Sequence, residues 1–294
     1  MRKQILLTGA TGYLGGHLIK ALLANEWHVI ALKRKHSAWM GSSYISENIH
    51  FVDVEEGKID ELFSEFGKIN TIIHTATCYG RGNESASEIF SVNIDLPLRL
   101  LEAGIKYGVE RFINTDTALD QSFNKYTLSK SQFLQWGKFL SNDKKIRFIN
   151  LRLEHFYGPG DKVSSFPVFI VNSCIKNIPE LNLSKGEQQR DFIYIDDVVS
   201  AYIAVIEGLF KDDKYFFEID VGSGTSVSIR TFVEMVKEIT KSSVKLNFGA
   251  IPYRVGEPMF SRANISELNA LGWSCCYELA DGLNKMISIE GSRI

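Results

Sequence analysis

Long apolar runs are missing from this chain: no stretch reaches the length of a membrane span, which excludes an integral membrane protein of the helical kind. The N-terminus does not read as a signal peptide, because Ile5-Leu6-Leu7 runs straight into a glycine turn. Charge of one sign is missing too. Lys and Arg number 33 against 35 Asp and Glu, a formal net charge of −2. Without a broad positive field, general nucleic-acid and membrane-surface roles are disfavoured. Cysteine is sparse: Cys78, Cys174, Cys275 and Cys276 form no CxxC pair, and the adjacent Cys275-Cys276 would bridge only with strain. Reduced thiols and a cytoplasmic location are expected. No repeat, low-complexity segment or long linker interrupts the chain.

What is present is ordinary in composition and specific in pattern. The 294 residues are 45% hydrophobic and 23% charged, enough for one large α/β domain or a large plus a small lobe. Short apolar, β-branched segments predict strands at 4–8, 28–32, 49–53, 71–75, 111–115 and 147–152. Helical stretches fall between them, at 12–25, 58–66, 85–107 and 124–140. Right-handed crossovers then build an open parallel sheet. After Gly158-Pro159-Gly160 the pattern loosens, and 161–192, 215–230 and 244–262 read as a smaller mixed lobe.

Two motifs carry chemistry. TGATGYLG at 8–15 puts Gly9, Gly12 and Gly15 at a strand-to-helix turn, together with Thr11, Tyr13 and Leu14. Bare backbone there can approach a pyrophosphate, and the helix N-terminus favours its charge. YTLSK at 126–130 sets Tyr126 one helical turn before Lys130, on the same face. A phenol beside an ammonium equips a site to exchange a proton with a carbonyl oxygen while a nicotinamide handles the hydride. An unperturbed phenol titrates near pH ~10, and Lys130 is expected to lower the cost of the phenolate. The second strand ends Lys33-Arg34-Lys35 with no carboxylate, where NAD sites usually carry an acid for the ribose hydroxyls. Arg34, with Lys33 or Lys35, suits a 2′-phosphate, so NADPH is favoured and NADH is the alternative. His74 is read as a packed core histidine. Asp196 and Asp197, preceding a helix, are read as N-terminal caps.

With both motifs in this order, the chain resembles an extended short-chain dehydrogenase/reductase of the nucleotide-sugar epimerase/dehydratase family, from Ile5 to about Leu279. The resemblance implies a doubly wound parallel Rossmann sheet with a smaller mixed α/β C-terminal lobe. Residues 1–160 would bind the dinucleotide, with some later segments returning to that domain, and 161–294 mainly the nucleotide sugar. By the same resemblance Asp53 faces the adenine amino group with Val54 beside it. Thr75, Ala76, Thr77 and Thr115 line the cofactor, and Lys130 also holds the nicotinamide ribose. Thr117 falls on the hydroxyl that meets the substrate, with Thr115 as the fallback, because Thr117 lies only nine residues before Tyr126. Asn93 matches an architectural asparagine. Arg190, Arg254 and Glu257 match residues that grip the diphosphate and ribose. His155 stands where many relatives have asparagine, and either hydrogen-bonds the sugar or a phosphate or merely packs.

Absences narrow the reaction. Dehydratases of this family follow the threonine with an Asp-Glu pair; here Ala118-Leu119 follows Thr117, and Asp116 has no glutamate partner. Fucose-type epimerase-reductases carry a cysteine in this loop, and residues 112–125 hold none. INTDT, RLEHFYGPGD, RDFIYIDDVV and FGAIPYRVGEPMFS resemble CDP-abequose synthase-type 4-keto-6-deoxy nucleotide-sugar reductases. That resemblance implies NADPH-dependent reduction at C4 of a CDP- or dTDP-linked ketosugar, for surface polysaccharide or O-antigen, with no metal. It also implies a homodimer through the helices near 85–107 and 124–140. The alternatives are a 4-epimerase with tightly bound NAD and a non-catalytic dinucleotide-binding regulator.

Overall fold

The computed structural model describes residues 3–35, 37, 46–53, 58–211 and 213–293. The chain divides into two compact units. The first is Met1–Arg152 with Tyr202–Ile219, the second Leu153–Ala201 with Asp220–Ile294. In chain order the strands are β1 Gln4–Thr8, β2 His28–Lys33, β3 Ile49–Asp53, β4 Thr71–His74, β5 Arg111–Thr117, β6 Arg147–Leu153, β7 His155–Tyr157, β8 Glu180–Leu183, β9 Gln189–Tyr194, β10 Phe216–Val221, β11 Ser226–Ser228 and β12 Lys245–Phe248. The helices are α1 Tyr13–Ala24, α2 Ile59–Phe66, α3 Ala86–Phe90, α4 Leu96–Lys106, α5 Lys125–Ser141, α6 Phe166–Ile175, α7 Ile195–Glu207, α8 Ile229–Thr240, α9 Ser266–Ala270 and α10 Leu279–Gly291.

The first unit is built on a seven-stranded sheet in the order β10-β6-β5-β4-β1-β2-β3. The pairs β1–β2, β1–β4, β2–β3 and β4–β5 are parallel. Strand order reverses between β1 and β4, the place where a doubly wound sheet opens a crevice at its carboxyl ends. Ile5, Leu6 and Leu7 of β1 and Ile72 and Ile73 of β4 are fully buried, as strands covered on both faces must be. Helix α5 is seated by aromatic packing: Phe133 meets Phe112 at 5.8 Å and Phe148 at 5.7 Å between ring centroids. Gly137 permits this, since a Cβ there would stand 2.2 Å from the Phe148 ring. The position of Tyr126 and Lys130 is thereby fixed from below.

Two sequence expectations change. Residues 215–230 were assigned to the smaller lobe, yet Phe216–Val221 is the outermost strand of the large sheet. It alternates buried and less buried residues, the mark of an edge strand rather than of a central one. The stretch 85–107 is not one regular helix: a π turn at Ser91–Asp95 separates α3 from α4. Pro97, in the first turn of α4, has no N–H to give and crowds the preceding turn, so the ladder widens there.

The second unit holds the small sheet β11-β9-β7 and the pair β12-β8, with α6, α8 and α10 packed among themselves. Phe192 stacks on Phe232 at 4.2 Å, and Tyr157 and Tyr194 are buried. Among the described residues no helix is long and apolar enough to cross a membrane.

Candidate active site

At the glycine turn, Gly9 has φ +68°, and a Cβ on it would lie 2.5 Å from Thr75 Oγ1 and 2.6 Å from the Ala76 nitrogen. A Cβ on Gly15 would lie 2.2 Å from the Gly9 oxygen. Both positions therefore require glycine, the first for contact with the β4 loop and the second to bring α1 against the turn. Gly12 is the N-cap of α1, with extended backbone and no side-chain cap, and no acidic residue stands in the first turn. Thr11 is half-buried, Leu14 is buried, and Tyr13 packs edge-on to His17 at 4.9 Å. An uncapped helix N-terminus beside a cradle that side chains would fill fits a dinucleotide pyrophosphate.

Beyond β1, Thr8 Oγ1 accepts from the Thr75 and Ala76 N–H groups at 3.2 Å each and contacts His74 Nδ1 at 2.9 Å. The Thr75 hydroxyl donates to the Thr8 carbonyl, and that of Thr77 to the Thr75 carbonyl. His74 is fully buried, and burial holds its pKa far below the ordinary value, so it is a neutral core residue. At the end of β2, Lys33 Nζ pairs with Asp53 Oδ1 at 2.5 Å. The Lys33 charge is thus engaged by the very carboxylate expected to face adenine, whereas Arg34 and Lys35 are exposed. Val54 lies outside the described residues. A cavity of about 260 Å³ opens beside this pair, with Leu32, Val52, Ile59, Leu62 and Leu96 in its wall.

The sequence motif YTLSK opens α5, whose N-terminus is closed by a reciprocal box between Asn124 and Thr127. Tyr126 is half-buried, and the Thr117 side chain lies near enough to favour its ionised form. Burial pushes the phenol well above its ordinary pKa, and Tyr79 and Asp116 push it further; the Thr117 side chain and the Arg81 guanidinium oppose this. The Lys130 ammonium donates to the Thr115 carbonyl at 2.8 Å. It is almost wholly enclosed, and burial lowers its pKa to about 8 although Asp116 holds it up. The Thr115 hydroxyl is engaged elsewhere, with Tyr202 at 2.6 Å. Of the two threonines, Thr117 is the one whose side chain acts on the Tyr126 phenol.

Several residues of this site escaped the sequence reading. Tyr79 lies against Tyr126, ring centroids 5.0 Å apart, and Arg81 stacks over Tyr79 at 4.9 Å. Their loop is clipped by Asn93, which accepts from the Cys78 N–H and donates to the Cys78 carbonyl and to Ser129. Ser129 in turn donates to the Tyr126 carbonyl. Asp116 is buried, accepting from the Thr117 N–H and from Asn150, each at 2.8 Å. A carboxylate inside a buried strand was the available signal for it.

The remaining candidates lie in the second unit. Arg190 is buried and paired with Glu257 at 2.5 Å, while its Nη1 donates to the Gln189 carbonyl. Arg254 is exposed, and its carbonyl accepts from the Glu257 N–H. His155 packs edge-on to Phe192 at 5.9 Å, with Nδ1 3.8 Å from a Glu154 carboxylate that also accepts from Ser261. Asp196 and Asp197 do not cap α7, which corrects the expectation. Asp197 is buried and accepts from the Cys276 and Tyr277 N–H groups and from the Cys275 thiol, and Asp196 pairs with Lys285. A loop 80 residues further along thus takes the oxygens that a cap would use. No disulfide joins the four cysteines.

Comparison with known proteins follows the same lines. A CDP-abequose synthase of Salmonella muenchen is 35% identical over 99% of this chain and 99% of its own length. The structure is similar to that of UDP-glucose 4-epimerase from Thermotoga maritima, solved with UDP-glucose: TM-score 0.86, 22% identity, 99% of each chain. It is similar also to UDP-glucuronic acid 4-epimerase from Bacillus cereus, solved with UDP-glucuronic acid and NAD: TM-score 0.84, 24% identity, 99% and 100% of the two chains. The NAD dependent epimerase/dehydratase model matches residues 5–216, and the chain belongs to that family.

Proposed function

We propose that this protein reduces the C4 ketone of a CDP- or dTDP-linked 4-keto-6-deoxyhexose with NADPH. The observation that carries the reading is the placement of Tyr126 near Thr117, with the enclosed Lys130 ammonium one turn along the same helix. Reduction of a ketone needs a proton donor at the oxygen. A phenol is in its acid form at neutral pH and meets that need. Tyr126 gives its proton to the nascent alkoxide of the substrate, and Thr117 orients the carbonyl toward it. The bound nicotinamide would supply the hydride. Gly9, Gly12 and Gly15 would admit its pyrophosphate, Lys130 its ribose, and Arg34 a 2′-phosphate. Arg190, Arg254 and Glu257 are assigned to the nucleotide diphosphate, which on binding competes for Arg190 with Glu257. The likeness to CDP-abequose synthase over the full chain supports the substrate class.

A second reading has one observation in its favour. Pairing of Lys33 with Asp53 removes one of the cations assigned to a 2′-phosphate, which suits NAD and hence a 4-epimerase. The deciding experiment follows the loss of NADPH absorbance with CDP- and dTDP-4-keto-6-deoxyglucose. Turnover is expected with one of them, falling about 10²–10⁴-fold in Tyr126→Phe. No turnover with either, together with NAD released when the purified protein is denatured, would move the assignment to epimerisation.

A further inference from the structure

We propose that Asp116 is the counter-ion that keeps Lys130 in its ammonium form at neutral pH, and so is a positioning residue for the proton chemistry of the site. Phe112, Asn114 and Asp116 alternate onto one face of β5, the face covered by α5, since Phe112 touches Phe133. Lys130 comes from α5 onto that face, and its one hydrogen-bond acceptor among the described residues is a neutral carbonyl. An enclosed ammonium with no charge nearby to compensate it would give up its proton. Asp116 supplies that charge through the field rather than by contact, because its oxygens are held by Thr117 N–H and by Asn150 Nδ2. Asn150 Oδ1 in turn accepts from Asn114 Nδ2 at 2.7 Å. Three directed bonds therefore fix a carboxylate in place behind the reacting groups.

Other ionisable groups around α5 do not compete for this role. On β4, His74 is buried and neutral. Tyr126, on α5 itself, is held as a neutral phenol. Glu88 of α3 is bound by Ser85, Asp95 of the π turn pairs with Arg99 of α4, and Lys106 of α4 pairs with Asp60. Glu102 of α4 and Lys125 and Lys138 of α5 are exposed, where water screens them. Arg111 stands at the opposite end of β5, donating to the Ile206 and Gly208 carbonyls.

The variant Asp116→Asn isolates the charge. Its amide can accept from Thr117 N–H and donate to Asn150. Asn150 and Asn114 then both turn their amides, so that Asn150 Nδ2 donates to Asn114 Oδ1, which among the described residues has no hydrogen-bond partner in the native arrangement. Asp116→Ser is the second variant, keeping an acceptor for Thr117 N–H. Lysine labelled with ¹³C and ¹⁵N is titrated by NMR in the full chain, and Lys130→Gln assigns the resonance. The wild-type midpoint is expected near 8, with Lys130 charged at pH 7. Both variants are expected to titrate lower by about one unit or more. An unmoved midpoint in either folded variant overturns the proposal, as does a wild-type Lys130 already neutral at pH 7. The catalytic consequence rests on the ketoreductase reading: the alkaline limb of NADPH turnover should move down with the midpoint. If the NMR midpoint moves but no ketosugar is reduced, the ketoreductase reading fails and the counter-ion stands.

Discussion

Thr115 and Thr117 are two residues apart on β5 and have the same chemistry, but their hydroxyls meet different phenols. Thr115 bonds Tyr202, which is fully enclosed, and Thr117 lies near Tyr126, which is only half-buried. Replacement by valine preserves shape and removes the hydroxyl at either position. Thr115→Val strands the Tyr202 hydroxyl, and denaturant unfolding should show a loss of about 1–3 kcal/mol with turnover per folded molecule retained. Thr117→Val should leave the unfolding midpoint nearly unchanged and lower kcat by about a hundredfold, since an aligned group at the reacting oxygen is gone. If the two variants exchange these phenotypes, the substrate-facing hydroxyl is Thr115. Sequence spacing alone left this choice open, because register at a strand end cannot be read without the partner phenol.

At the level of elements, the turn from β1 to α1 is the most constrained piece of the site. Alanine at Gly15 drives a Cβ to 2.2 Å from the Gly9 oxygen and 2.8 Å from its carbonyl carbon, so the turn must open. Gly15→Ala should bind NADPH at least tenfold more weakly. In thermal unfolding, that appears as loss of about 1.4 kcal/mol of cofactor-dependent stabilisation at NADPH well above both dissociation constants. A variant with wild-type cofactor response would show that the turn tolerates the methyl group and that this constraint is wrong. The glycines, the central strands and α5 were legible in sequence because each is dictated locally, by φ or by continuous burial. The π turn, the return of β10 to the sheet and the pairing of Lys33 with Asp53 were not. The first depends on how Pro97 is accommodated by a packed neighbour. The other two join residues distant in sequence, and alternation or charge at one end does not name the other. Asp196 and Asp197 failed in the same way: local position suggested caps, and a distant loop claimed their oxygens.

For the molecule as a whole, buried phenols set the alkaline limit of stability. Tyr202 in the first unit and Tyr157 and Tyr194 in the second are all but sealed from solvent. Burial raises each pKa, that of Tyr194 to about 12 and the other two beyond it. In the unfolded chain a phenol titrates near pH ~10, so above that pH the folded state binds more protons than the unfolded one. Raised pKa values mean stability that is complete below pH ~10 and lost as the pH climbs through the folded values. Each such group contributes about 1.4 kcal/mol per pH unit, and the three together about 4 kcal/mol per unit. Lys130 acts in the opposite sense: its lowered pKa makes stability rise between about 8 and its unfolded value near 10.5. One lysine offsets the onset and is overtaken once three phenols titrate. Thermal midpoints should accordingly be level or slightly rising to about pH 9 and fall steeply beyond pH ~10.5. Tyrosinate absorbance recorded in the same samples decides the cause. A part of the signal should appear only with unfolding in each unit, whereas smooth ionisation of all eleven tyrosines in the folded protein would show that these phenols are not sealed.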